Sequence, residues 1–138
     1  MSEVEFAMIL CGAVLNGAVE VHTPYDVSGE RRSVRIDCET DTQVIEVGLD
    51  NRRSAFDSVH QALFAAHATG KAPMVVMVDT DGREGAEEYQ VEAAARAAGV
   101  RYVSVDAAWL LRWRMTWWLR ARRGEVSAGG PGVRPVGP

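Results

Sequence analysis

The stretch VRIDCETDTQVIEVGL, residues 34–49, decides the architecture. It holds two alternating segments, Val34 to Glu39 and Val44 to Leu49, separated by the polar Thr40 to Gln43, and so reads as a β-hairpin. With the turn centred on Asp41 and Thr42, Val34 falls opposite Leu49, Ile36 opposite Val47 and Cys38 opposite Ile45, so the apolar residues of both strands share one face. The other face pairs Arg35 with Gly48, Asp37 with Glu46 and Glu39 with Val44. Opposed residues have Cβ atoms about 4.5–5.5 Å apart, where like charges destabilise unless a cation lies between them or one carboxyl holds a proton. A hard divalent ion, Mg2+ or Mn2+, would satisfy Asp37 and Glu46 and could activate a nucleophile there. The plain alternative is a solvated pair on an exposed face, softened by Arg35 and screened by salt.

Outward from the hairpin, Glu3 to Leu15 carries apolar residues at helical spacing and stops at Asn16-Gly17. Ala18 to Tyr25 alternates as a strand, and Asp26 to Arg32 reads as a polar loop. Ser54 with Asp57 resembles a capping box at the start of a second helix that Gly70 closes. Met74 to Val78 is an unbroken apolar run between Pro73 and Asp79, as in a strand covered on both faces. Gly85 to Gly99 is an alanine-rich helix, Tyr102 to Val105 a short strand, and Ala107 to Arg123 a last helix. Alternation of strand and helix after residue 43 predicts parallel pairing with right-handed crossovers.

This order, helix, three antiparallel strands, then helix, strand, helix, strand, helix, fits one domain over residues 1–123, an αβββαβαβ core whose central mixed sheet is flanked by helices. The length of 138 residues suits one domain. Residues 124–138 hold five glycines and three prolines and read as a disordered tail. Cys11 and Cys38 are too few for a disulfide framework and lie in apolar runs, where a thiol packs as a small hydrophobe. No apolar run reaches the roughly 20 residues of a bilayer span, and no signal peptide is evident, so the expected compartment is the cytoplasm.

Charge is divided along the chain. Residues 1–111 hold nine basic and eighteen acidic residues, whereas residues 112–138 hold six basic and one acidic. An acidic body argues against extended DNA wrapping, which rests on neutralising many phosphates. On the basic end, Trp109, Trp113 and Trp117 recur every four residues, with Trp118 beside them and Arg112, Arg114, Arg120, Arg122 and Arg123 around them. Three roles compete for this stripe: packing on the sheet or a homodimer partner, stacking on nucleic-acid bases, and lying on an anionic membrane surface. Packing is favoured.

Arg35-Ile36-Asp37, a short turn, Val44-Ile45-Glu46-Val47 and a helix containing Gln61-Ala62-Leu63 together resemble bacterial members of the PD-(D/E)XK, or restriction-endonuclease-like, nuclease superfamily. The resemblance covers roughly residues 3 to 106 and implies metal-dependent cleavage of nucleic acid. It assigns the metal to Asp37 and Glu46, an orienting role to Gln61, and a supporting glutamate on the first helix to Glu5. The superfamily's lysine position holds Gly48 here, which leaves Arg35, Arg52 or Arg53 to meet phosphate charge. Without that lysine, a binding or assembly module on the same fold is the rival expectation.

Three other signals are weaker. Asp79-Thr80-Asp81-Gly82 follows a buried strand, where phosphoryl-transfer folds place metal-binding aspartates, but its composition is that of an ordinary turn, the favoured reading. Thr69-Gly70-Lys71 is a helix stop rather than a phosphate loop. His60 and His67, seven apart, lack the four-residue spacing of a helical metal pair.

Overall fold

The computed structural model describes residues 2–123 and 133–135. Its strands β1 (Ala18–Val27), β2 (Glu30–Glu39), β3 (Gln43–Leu49), β4 (Ala72–Asp79) and β5 (Arg101–Asp106) lie side by side in sequence order. The first three are antiparallel, and β3, β4 and β5 run parallel. Within the stretch expected as a tail, β6 (Val133–Pro135) pairs antiparallel with β5. The rest of that stretch lies outside the described residues.

Helices cover both faces. On one, α1 (Glu3–Ile9), the π-helical turn Leu10–Val14 that extends it, and α4 (Ala107–Arg123) pack with Ile45, Val47, Leu49, Met74, Val76, Val78, Val103 and Val105. On the other, α2 (Asp57–Thr69) and α3 (Ala86–Ala97) set Ala62, Val91 and Ala95 against Val75, Met77 and Tyr102. Strands β3 and β4 are therefore buried on both sides, which explains their continuous apolar runs. Among the described residues no helix is long and apolar enough to cross a membrane.

Several expectations need correction. The capping box is at the first helix, where Glu5 N–H donates to Ser2 Oγ and Ser2 N–H to Glu5 Oε2. The second helix begins at Asp57 after a 3-10 turn, Arg53–Phe56, with no side-chain cap. Residues 26–32 are a tight hairpin rather than a loop: Val27 pairs with Glu30 around Ser28 and Gly29, whose φ values of 50° and 76° give the turn that matches strand twist. Cys11 and Cys38 are not separate thiols but a disulfide, fully buried, tying the π-helical turn to β2. Disulfides persist in oxidising surroundings, which sits uneasily with the cytoplasmic expectation.

The first two tryptophans of the stripe pack on the α1 and α4 core. Trp109 is buried in the α1 and α4 core, and Trp113 lies against the same core with its ring centroid 5.2 Å from that of Trp109. The side chains of Trp117, Trp118, Arg120, Arg122 and Arg123 lie outside the described residues. Arg112 and Arg114 are exposed.

Candidate functional site

The hairpin register holds at its turn end, where Cys38 pairs with Ile45 and Glu39 with Val44, and stops there. Beyond that point Val47 N–H donates not to a β2 carbonyl but to Asp37 Oδ2, at 2.9 Å. A side chain has replaced a ladder partner. The ladder on the other edge of β2 is interrupted at the same level: Val19 pairs with Cys38 and Val21 with Ile36, but the intervening Glu20 has a left-handed φ of 51° and makes no ladder pair with Asp37. Positive φ on a non-glycine residue is strained, and such strain gathers at functional positions.

This double interruption overturns the one-faced hairpin. Ile36 packs with Val44 and Ala65 on the α2 side, whereas Cys38 joins Ile45 on the α1 side. The strand changes face across Asp37. Accordingly Ile36 does not meet Val47, which lies in the opposite core.

Asp37 and Glu46 nevertheless converge. Glu46 is 1% exposed, shares a side-chain hydrogen bond with Asp37, and also accepts from the Asp37 backbone N–H. Burial above all, then the charge of Asp37 and that hydrogen bond, push the Glu46 carboxyl up to about 9, against a smaller opposing pull from Arg35. At neutral pH Glu46 is therefore protonated, with its O–H donating to Asp37. Glu46 Oε1 is buried and has no hydrogen-bond partner. Arg35, half exposed, bridges Asp37 Oδ1 and Glu20 Oε1, each at 3.7 Å. A shallow pocket bounded by Glu3, Ala7, Val19, Glu20 and Arg35 opens onto Asp37.

The other residues named for this site are not gathered there. Gln61 is exposed on the flank of α2, and Glu5 is engaged in the helix cap, so the acidic side chain that α1 contributes to the pocket is Glu3. Arg52 is exposed, and the side chain of Arg53 lies outside the described residues. Lys71, the sole lysine of the chain, donates to Glu39 Oε2 at 2.6 Å and Thr40 O at 2.7 Å at the turn end of the hairpin. His60 and His67 are both exposed.

Gly48 has a steric reason. A Cβ there would lie 3.0 Å from Ser58 Oγ and 3.3 Å from Ala55 Cβ, because the 3-10 turn and α2 roof this part of β3. We expect Gly48→Lys to destabilise the fold by about 1–3 kcal/mol through overpacking. Urea denaturation checks this, and a neutral result would mean that the roof lifts readily enough to admit a lysine.

A second acidic cluster was only half visible in the sequence. Asp50, just beyond β3, Asp79 at the end of β4, and Asp81 in the next turn each offer a carboxylate oxygen within 4.8 Å of the others. The turn expected at Asp79 to Gly82 is present, with Asp81 and Gly82 N–H donating to Asp79 Oδ1. Sequence reasoning missed Asp50. The available signal was an aspartate at or just past the carboxyl end of every parallel strand: Asp50, Asp79 and Asp106.

No protein-family model, curated protein or solved structure matches this chain.

Proposed function

We propose that this chain is a divergent PD-(D/E)XK-type nuclease domain that hydrolyses phosphodiester bonds with a divalent ion, Mg2+ or Mn2+, held by Asp37 and Glu46. The reading rests on one observation: two carboxyls from neighbouring strands meet where the ladder breaks, and one of their oxygens, Glu46 Oε1, is buried without a partner. The donor set fits a hard cation, since an all-carboxylate pair offers oxygen alone. When bound, such an ion lowers the pKa of a coordinated water and offsets charge on a phosphoryl group.

The chain's own residues prepare this chemistry. Val47 N–H fixes the Asp37 carboxylate, and Glu46 releases its proton as an ion arrives, so binding strengthens as pH rises towards about 9. Arg35, half exposed beside Asp37, supplies the fork that meets a phosphate. Arginine cannot serve as a base at ordinary pH, and Gly48 offers no side chain, so these residues place no lysine-type base beside the pair, and a metal held by Asp37 and Glu46 would have to supply the activation of water.

A second reading is favoured by the burial of Glu46 and the roof over Gly48: the same fold kept as a binding or assembly module. Supercoiled-plasmid nicking with Mn2+ separates the two. We expect nicking by the parent chain, reduced at least about 100-fold in Asp37→Asn and Glu46→Gln. No nicking by a folded parent, or equal nicking by all three, removes the catalytic reading and leaves the module.

A further inference from the structure

We infer that the protein binds a small carboxylic acid with a compact apolar body, of benzoate size, in a cavity between the π-helical turn that follows α1 and strands β4 and β5, with Arg101 taking the carboxylate. The cavity shares no lining residue with the pocket that opens onto Asp37, so the two sites are independent.

Its walls are apolar and held in place. Leu10 and Val14 of the π-helical turn form one side, and Met74 and Val76 of β4 with Val103 and Val105 of β5 form the other. All six are at most 5% exposed. Val76 pairs with Val103 in the parallel register, and two-residue alternation sets all four strand side chains on the α1 and α4 face of the sheet. The Cys11–Cys38 disulfide anchors the turn to β2, which fixes the wall that carries Leu10 and Val14. Turns of this π-helical kind recur at functional positions. The cavity measures about 120 Å3, close to the roughly 150 Å3 that admits a benzene ring, and the pliable Met74 side chain can widen it.

The polar groups gather at one end. Gln43 and Arg101 are the first residues of β3 and β5, and the same alternation carries both to the face of the cavity, where they line it with Leu15. Arg101 is exposed, and Gln43 and Leu15 are half-buried, so this end is the mouth. Among the described residues neither the Arg101 guanidinium nor the Gln43 side-chain amide has a hydrogen bond or an ion pair. No residue lining the cavity is acidic, which leaves the charge of Arg101 unbalanced there. An apolar interior with a few convergent polar groups is the make-up of a small-molecule site. The guanidinium fork matches a carboxylate, and the Gln43 amide adds a donor. A fully hydrated anion gains nothing from the apolar walls, and a neutral hydrocarbon leaves Arg101 unused. The ligand that uses both is an acid with a short apolar body.

The test is a titration of the 15N-labelled full chain with sodium benzoate, followed through the backbone amides. We expect saturable shifts at Val14, Met74, Val76 and Val103, with a Kd of about 1 mM or tighter. Acetate, which carries the head group without the body, should leave those amides unmoved at the same concentration. Arg101→Gln, at an exposed position, should weaken benzoate at least about tenfold. Benzyl alcohol, which carries the ring without the charge, should bind the parent and the variant equally. The amide spectrum of Arg101→Gln away from the cavity verifies that it is folded. Absence of saturable shifts at those four amides with about 10 mM benzoate overturns the site. Equal benzoate affinity in the folded variant overturns it too, as do equal shifts from acetate.

Discussion

Reducing the Cys11–Cys38 disulfide should lower the unfolding free energy by about 3.5 kcal/mol. The bond closes a loop with a sequence separation of 27 residues, and the chain-entropy model assigns a loop of that length this much restriction of the unfolded ensemble. For a domain of this size such a loss is a large share of the total stability. The effect also reaches the candidate site, because Cys38 is the residue next to Asp37 and anchors β2 at the level where its ladders break. Gly17 has a related constraint: a Cβ there would lie 2.8 Å from Cys38 Sγ and 3.0 Å from Cys11 Sγ. Urea denaturation of the oxidised and the reduced chain checks the prediction. Coincident curves would mean that the sulfurs contribute only as packed thiols, as the sequence alone suggested.

Glu46→Gln should raise stability, by an amount that grows with pH. The Glu46 carboxyl ionises near 4.5 when unfolded and near 9 when folded, so between these values the folded chain retains a proton that the unfolded chain releases. Stability from this residue is complete below about 4.5, falls by about 1.4 kcal/mol per pH unit as pH rises, and levels off above about 9. Glutamine keeps an N–H donor for Asp37 without a proton to lose, so its profile should lack that decline. Glu88, raised to about 7, adds a slope over the lower part of the window in both proteins, and the difference between them isolates Glu46. Parallel profiles for parent and variant would show that Glu46 is ionised in the folded chain.

Much of the architecture was legible because it rests on short-range pattern. The run Met74 to Val78, closed by Pro73 and Asp79, identified a strand covered on both faces, and strand and helix alternation after residue 43 identified the parallel half of the sheet. The hairpin register was correct where backbone pairs with backbone, at Cys38 with Ile45 and Glu39 with Val44. It failed one residue later, because the Asp37 carboxylate takes the Val47 N–H and turns Ile36 to the other face. Alternation cannot register a side chain that substitutes for a ladder partner. The same limit hid the disulfide, which joins a helical turn to a strand only in three dimensions. The Ser28-Gly29 turn escaped because serine is an uncommon choice for a left-handed position.

The candidate site was legible in its centre and not in its surroundings. Asp37 and Glu46 were found because they face each other across a hairpin, a relation that sequence spacing encodes. Which helix residues approach them depends on how α1 and α2 cross the sheet, and so Glu3 took the place expected for Glu5 while Gln61 stayed at the surface. The acidic cluster at Asp50 and Asp79 depends on β3 and β4 ending at the same level, which follows from parallel register rather than from local sequence.

The most direct measurement is anomalous scattering from a crystal of the full chain soaked in Mn2+ at alkaline pH, where Glu46 gives up its proton most readily. The account predicts a manganese peak between the carboxyls of Asp37 and Glu46, absent in Glu46→Gln. A well-ordered map with the two carboxyls in hydrogen-bonded contact and no peak between them would contradict it.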